Sequence, residues 1–224
     1  MAQPEGSHTV KVGVVLARQP GGLGAWLADG SAFEGAGAHA LWVDPVADPD
    51  LDPVVLTAAL AAVTFRALLI VSLPEYEGSP DRMLATLGRL SRGRLAILAG
   101  PDLAAVPAHV PAVPAHVPAV PAHVPAVPAR VPAAGPAGAG TGIPVFHRIP
   151  GDPAAIEYPG APGGPQRWGC AGCPDGREAF RATLLDAAER GWHGLLLPAD
   201  PRLLDMLRNP DDPGYRHDLQ LAQG

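Results

Sequence analysis

A proline ladder in the middle of the chain is the feature that most constrains the fold. The stretch VPAHVPAVPAHVPAVP begins at Val106 and belongs to a seven-residue repeat, which ends where Arg130 takes the place of a histidine. Proline fixes φ and has no backbone N–H, so prolines at this spacing block both helices and sheets. We therefore predict a disordered, proline-rich spacer of extended polyproline II over residues 101–142.

The histidines of this ladder do not predict a metal site. His109, His116 and His123 are seven residues apart, which places neighbours ~22 Å from one another in polyproline II, too far to share one ion. A ligand for proline-binding domains is an alternative role for the segment. Such motifs usually carry flanking charge, and only Arg130 offers any.

The charge pattern and the N-terminus narrow the function classes. The formal net charge is -6, and the sequence has no cluster of lysine and arginine, which argues against nucleic acid as a partner. The N-terminal MAQPEGSHTVKV lacks the charged and apolar regions of a signal peptide, so we expect a cytoplasmic protein. Residues 54–73 are apolar, but Arg66 divides them into a helix and a strand, and we expect no membrane segment.

The residues before the ladder read as alternating strands and helices. Apolar runs predict strands over Val10–Leu16, Ala40–Val43, Ala67–Leu73 and Arg94–Ala99. Helical spacing predicts the helices between them, with Asp52-Pro53 as the start of the second helix and Met83, Leu84, Leu87 and Leu90 as the inward face of the third. Asp29 and Glu34 are assigned to the solvated face of the first helix. This order of elements implies a parallel sheet with right-handed crossovers.

The residues after the ladder also predict an α/β pattern. We expect strands over Ile143–Ile149 and Gln166–Cys170, separated by a loop rich in proline and glycine, and a third strand over His193–Leu197. Helices are predicted over Asp175–Arg190 and from Asp200-Pro201 to a stop at Asn209-Pro210.

Two short motifs suggest chemistry but also have simpler explanations. Cys170 and Cys173 form a CxxC before a helix, which allows a redox pair, a zinc site completed by a distant histidine, or two reduced cysteines; we favour the reduced cysteines. Gly21-Gly22-Leu23-Gly24 follows a strand and opens a helix, as a phosphate-binding loop would, but the third glycine of that fingerprint is missing. We predict a tight turn.

Three segments resemble the N-terminal half of the bacterial-luciferase-like flavin monooxygenases: GVVLARQPGGLGAWLADGSAFEGAGAHALWVD, LDPVVLTAALAAVTFRALLIVSLP and LATLGRLSRGRLAILAG. The C-terminal GWHGLLLPADPRLLDML is similar to the last βα unit of the same barrel. The resemblance implies a TIM barrel that binds flavin mononucleotide or the deazaflavin coenzyme at the C-terminal strand ends and acts on a small molecule. It implies Ser72, Asp44, Ala17 and Arg18 as the cofactor-binding residues, with Ser72 at the family's small residue under the flavin.

The sequence departs from the family pattern after the second strand. Asp44-Pro45-Val46 stands where the family usually carries an acidic residue followed by histidine, so no catalytic residue is assigned. Two functions stay open: a flavin-dependent oxidoreductase or monooxygenase, and a non-catalytic binding or scaffold protein that retains a half-barrel.

The length of the chain predicts a partial or degenerate TIM barrel. Eight βα units need about 200–250 residues, and the 224-residue chain loses the proline-rich segment from that number. We predict N-terminal βα units over 1–100, a linker over 101–142, and C-terminal βα units over 143–224 that complete the same sheet. The last strand should lie beside the first, and open edges should be covered by the hairpin of residues 143–170 or by a second subunit, which would make a homo-oligomer.

Overall fold

The structure, a computed structural model, describes residues 9–16, 22–43, 51–73, 81–99, 143–159, 161 and 164–210. The proline-rich segment 101–142 lies outside these residues. Its predicted conformation and the predicted division of the chain into three parts therefore stay predictions. In the described ranges the elements agree closely with the sequence-based assignments, with one strand in addition.

Eight strands and five helices are described. The strands are β1 Lys11–Leu16, β2 Ala40–Val43, β3 Leu68–Ser72, β4 Leu95–Ala99, β5 Val145–Ile149, β6 Asp152–Tyr158, β7 Gln166–Cys170 and β8 Gly194–Pro198. The helices are α1 Leu23–Gly35, α2 Pro53–Val63, α3 Asp81–Leu90, α4 Arg177–Glu189 and α5 Pro201–Arg208.

The strands close into one barrel in the order of the sequence. β1 pairs in parallel with β2 on one side and with β8 on the other, where Val14 lies opposite Leu197. The predicted pairing of the first and last strands is therefore confirmed. β4 pairs in parallel with β5, so strands from both sides of the proline-rich segment share one sheet.

The barrel departs from eight βα units between β5 and β8. β6 runs antiparallel to both β5 and β7, and this three-stranded meander stands where a full barrel would have further crossover helices. The TIM-barrel-like α/β fold is thus confirmed in a degenerate form. The meander needs fewer residues than βα units would. Because β5 pairs with β4 and β7 pairs with β8, it closes the sheet edges that the short chain was expected to leave open.

β6 corrects the prediction of a loop between β5 and β7. Gly151 takes a positive φ of 83° at the reversal, a conformation that favours glycine. Ala155 and Ile156 are buried, and Glu157 pairs with Arg167 across the strands at 2.6 Å. A segment that begins Asp-Pro and has one large aliphatic residue carries a weak strand signal, so its cross-strand partners decide its conformation.

The lumen of the barrel is filled by large side chains set against small ones. The buried lumen residues are Ala40, Trp42, Ile70, Ala96, Leu98, Phe146, Ile156, Trp168 and Leu196. Trp168 lies in the deeper, N-terminal part of the lumen, where Gly194 is its cross-strand neighbour and a Cβ on Gly194 would overlap the indole ring. Glycine is required there because the ring passes directly over the backbone.

The helices pack on the outer face of the barrel. Trp26 and Phe33 of α1, Leu60 of α2 and Leu203 of α5 belong to one buried cluster, together with alternate residues of β1, β2 and β8. The predicted inward face of α3 is partly wrong: Leu84 and Leu87 are buried, but Leu90 at the end of the helix is 55% exposed.

The assignment of Glu34 to a solvated helix face is also wrong. Its side chain is buried, and its carboxylate accepts hydrogen bonds from the backbone N–H groups of Phe65, Arg66 and Ala67 at 2.7–2.9 Å. Arg94 donates to the carbonyl oxygens of Thr64 and Ala67 in the same turn, each at 2.8 Å. Glu34 and Arg94 therefore fix the turn from α2 to β3 at the N-terminal end of the barrel, and Asp29 remains exposed as expected.

Two helix starts confirm the sequence signals. Asp52 accepts from Val54 N at 2.7 Å and precedes Pro53 at the first position of α2. Asp200 accepts from Arg202 N at 2.7 Å and precedes Pro201 in α5. Among the described residues, every helix is too short or too polar to cross a membrane.

Candidate functional site

The candidate site lies at the C-terminal end of the barrel, where β1 to β5, β7 and β8 all finish. In parallel barrels the side chains at this end form the active site, because the loops that follow the strands surround them. We use "the mouth" for five of the lumen-facing side chains at this end in the described part of the chain: Trp42, Ser72, Phe146, Arg148 and Cys170.

Trp42 and Ser72 form a hydrogen-bonded pair on neighbouring strands. Trp42 lies opposite Ile70 in the register of β2 and β3, so Ser72 stands one lumen-facing layer nearer to the solvent. The indole Nε1–H of Trp42 donates to Ser72 Oγ at 3.1 Å. Trp42 is 8% exposed, while Ser72 is half-buried. The family resemblance implied Ser72 as a site residue, and in the structure it lies at the C-terminal end of β3.

Phe146 and Leu98 form an apolar floor beside this pair. They are cross-strand neighbours on β4 and β5, and both are 2% exposed. The Phe146 ring is tilted against Tyr158, with 5.8 Å between the ring centroids. Because the Phe146 and Leu98 side chains are both buried, they close the lumen and give the mouth an apolar base.

Arg148 and Cys170 stand on the other side of the mouth. Arg148 lies opposite the lumen residue Ile156 in the antiparallel register, which directs it to the same side of the sheet. Cys170 packs against the lumen cluster. Burial raises the pKa of the Cys170 thiol, the positive charge of Arg148 lowers it, and the negative charge of Asp152 raises it. Because the net shift is upward, Cys170 is a neutral thiol at pH 7.

The two cysteines of the CxxC motif pack against different core clusters. Cys170 packs against the lumen cluster, whereas Cys173 packs against the cluster between the barrel and its helices. Both are free thiols, and burial is also the largest influence that raises the pKa of Cys173. This arrangement favours two reduced thiols over the redox pair, whose attacking cysteine would need a lowered pKa. Within the described ranges, no three side chains suited to a metal ion lie together.

The other sequence-predicted site residues cannot be placed at the mouth. Ala17, Arg18 and Asp44 lie outside the described residues, although each follows a strand that ends there. Of the predicted tight turn, Gly21 lies outside the described residues, Gly22 precedes α1 with a φ of 95°, and Leu23 and Gly24 belong to the helix. Trp42, Phe146 and Arg148 were not predicted as site residues. Their signal was the alternation of lumen-facing and outward-facing positions near the strand ends, which becomes informative only once the register is known.

A cavity of about 640 Å³ lies elsewhere, along the N-terminal half of α4. Asp175, Arg177, Glu178 and Arg181 contribute both signs of charge to its wall, next to Leu185. Arg177 is committed to a 2.6 Å ion pair with Asp205. The cavity contains none of the mouth residues, and it is a groove on the helix surface. The mouth remains the better candidate because it lies at the C-terminal strand ends and carries Ser72, Arg148 and Cys170 as polar side chains on the lumen side of the sheet.

Comparisons with known proteins give distant structural likeness only. No protein-family model matches the chain, and no curated protein sequence matches it. A riboflavin lyase, solved with a modified flavin mononucleotide and its substrate riboflavin, aligns with a TM-score of 0.33 and 20% identity over 41% of this chain and 30% of that one. A long-chain alkane monooxygenase aligns with a TM-score of 0.34 and 19% identity over the same shares. The alignments thus span less than a third of each solved structure, and the fold assignment rests on the closed barrel itself.

Proposed function

We propose that the chain is a luciferase-like flavin-dependent oxidoreductase or monooxygenase that acts on a small molecule, with flavin mononucleotide or the deazaflavin coenzyme bound at the mouth. The observation that supports this most strongly is the set of hydrogen-bond donors around an apolar floor at the C-terminal strand ends. Ser72 and Cys170 are neutral donors, Arg148 is a cationic one, and Phe146 and Leu98 lie between them.

This set of donors fits a flavin. The isoalloxazine ring is flat and largely apolar, and it carries carbonyl oxygens and ring nitrogens that accept hydrogen bonds along one edge. A serine hydroxyl and a thiol can donate to such atoms. The guanidinium of Arg148 has the charge and the geometry to bind a phosphate. The polar edge of the ring and the phosphate therefore each have a complementary group at the mouth.

The protein's contribution is to bind and orient the cofactor. When bound, the flavin supplies the electron-transfer chemistry, as cofactors of this kind do. The floor holds one face of the ring away from water, and the Ser72 hydroxyl fixes the polar edge. The sequence lacks the family's acidic residue and histidine after β2, so no side chain is assigned to proton transfer.

A non-catalytic binding protein is the second candidate, and the structure contains an observation that favours it. The β5–β6–β7 meander stands where crossover units would add loops to the mouth. In addition, the carboxylate of Asp200 occupies the N-terminus of α5, close to where TIM barrels often bind phosphate. A phosphate would then depend on Arg148.

Titration of flavin mononucleotide, the deazaflavin coenzyme and riboflavin with the full chain tests the proposal. We expect the fluorescence of at least one phosphorylated cofactor to be quenched saturably as the protein is added. Arg148→Gln should weaken binding of flavin mononucleotide about tenfold or more and leave riboflavin binding unchanged, because only the phosphate loses a partner. Arg181→Gln, an exposed arginine on α4, is the matched control. If the protein quenches the fluorescence of none of the three compounds, the non-catalytic candidate is favoured.

Turnover is a separate measurement. After chemical reduction, the cofactor bound to the chain should be reoxidised by a substrate or by oxygen at a rate that differs measurably from the rate for the free reduced cofactor. Size-exclusion chromatography in the same buffer tests the predicted homo-oligomer, which stays a prediction.

A further inference from the structure

We propose that Trp42 is a positioning residue that fixes the Ser72 hydroxyl as a hydrogen-bond donor toward the mouth, so that the site selects a ligand atom able to accept a hydrogen bond. As applied to a flavin edge, this inference rests on the function proposed above. The orientation of the Trp42–Ser72 pair can be tested independently of any cofactor.

The direction of the hydrogen bond follows from the chemistry of the two groups. An indole N–H can donate and cannot accept, whereas a serine hydroxyl has one proton and two lone pairs. Since Trp42 Nε1 is 3.1 Å from Ser72 Oγ, one lone pair of the hydroxyl is used and its proton is left to donate. Within the described ranges, Ser72 Oγ accepts this bond and donates none.

The burial of Trp42 makes the direction permanent. The side chain is 8% exposed and packs in the lumen, with Val15 opposite it on β1 and Ile70 opposite it on β3. A rotated indole would leave its N–H buried without a partner, at a cost of about 1–3 kcal/mol. Ser72 stands above it and is half-buried, so the hydrogen bond runs from the buried lumen to the partly exposed end of the barrel.

A donor that has no acceptor among the described residues discriminates between ligand atoms. A carbonyl oxygen or an unprotonated ring nitrogen at this point completes the chain from Trp42 through Ser72, and the first bond polarises the second. A ligand that presents an N–H group there can use only the second lone pair of the hydroxyl, which leaves the hydroxyl proton without an acceptor, so such a ligand binds more weakly. The same donor binds more strongly to an acceptor that becomes negatively charged, because charge-assisted hydrogen bonds are stronger than neutral ones.

For a bound flavin, the pair should therefore favour the reduced, anionic form over the oxidised one. Loss of the donor should weaken binding of the reduced cofactor about tenfold more than binding of the oxidised cofactor. That ratio is a fall of about 30 mV in the two-electron reduction potential. A merely structural role for Trp42 would weaken both forms equally and would leave the potential unchanged.

The test uses the full chain with flavin mononucleotide, four variants of the pair and one control variant. Ser72→Ala and Trp42→Phe should each lower the potential of the bound cofactor, and the double variant should lower it no further than Ser72→Ala alone, since Trp42 acts through Ser72. Ser72→Thr, which keeps the hydroxyl, should restore the wild-type potential. Trp168→Phe is the matched control, because it removes a lumen indole whose Nε1 has no hydrogen-bond partner among the described residues.

A cofactor-free measurement separates this inference from the proposed function. In the NMR spectrum of 15N-labelled protein, the Trp42 indole N–H signal should move upfield and exchange faster with solvent in Ser72→Ala. An unchanged signal overturns the inference, as does an unchanged potential in both single variants, or an equal fall of the potential in Trp168→Phe. A shifted signal in a chain that binds no flavin supports the pair and refutes only the flavin assignment.

Discussion

Replacement of Glu34 by alanine should strongly destabilise the barrel. The substitution leaves the N–H groups of Phe65, Arg66 and Ala67 without an acceptor and removes the carboxylate whose charge favours the charged form of Arg94. Removal of one member of such a buried charged network costs about 3–5 kcal/mol. At about 2–4 °C per kcal/mol for a chain of this size, the midpoint of thermal unfolding should fall by roughly 10 °C.

The assay is thermal unfolding followed by circular dichroism, with Asp29→Ala as the control. Asp29 is on the same helix and is exposed, so its loss should change the midpoint by less than about 2 °C, the range of ordinary surface substitutions. Equal effects of the two substitutions would refute the conclusion that Glu34 is buried and bonded to the turn from α2 to β3.

The pH dependence of stability supplies a second test of Glu34. Burial alone would raise the pKa of this carboxyl, but the hydrogen bonds from Ala67, Arg66 and Phe65 and the charge of Arg94 outweigh it, so the pKa lies below the ordinary value of 4.5. The folded state therefore binds its proton less readily than the unfolded state does. The carboxylate contributes its full stabilisation above pH 4.5, and the contribution is lost as the pH falls through the lowered folded-state pKa. Glu34→Gln should flatten this part of the stability curve.

Three further predictions follow from packing, helix capping and thiol chemistry. Gly194→Ala should cost about 1–3 kcal/mol in thermal or urea unfolding, because its Cβ would overlap the Trp168 ring; Gly24→Ala in α1, where the added Cβ has open space, should be neutral or slightly stabilising. Asp52→Ala should cost about 1 kcal/mol by the same measurement, since Val54 N and Val55 N lose their acceptor. Cys170 and Cys173 should react with a maleimide more slowly at pH 7 than a free cysteine does and should form no disulfide with each other under mild oxidation; rapid formation of that disulfide would contradict their separation into two clusters.

The parts of the fold that the sequence predicted are those with strong local signals. β1 to β4 and β8 are short apolar runs between helices, a pattern that parallel strands covered on both faces produce. Asp52-Pro53 and Asp200-Pro201 mark their helix starts without any tertiary contact. These signals were sufficient for the α/β alternation and for the pairing of β1 with β8.

The parts that the sequence did not predict depend on partners far along the chain. Glu34 has the helical position of a surface residue, and its acceptor role becomes visible only when a turn 31–33 residues later is placed against it. β6 pairs because β5 and β7 flank it. Ser72 was expected at the site from the family resemblance, but Trp42, its partner across 30 residues, was not, because the register of β2 and β3 decides which tryptophan reaches the mouth.

The position of the bound cofactor is the most direct test of the central claim that the mouth is a flavin site. A crystal structure of the full chain grown with flavin mononucleotide should show the ring over Phe146 and Leu98, with an acceptor atom at about 2.8 Å from Ser72 Oγ. The phosphate should lie on the side of Arg148. A flavin found instead along α4 or at the N-terminal end of the barrel would contradict the assignment of the mouth as the site.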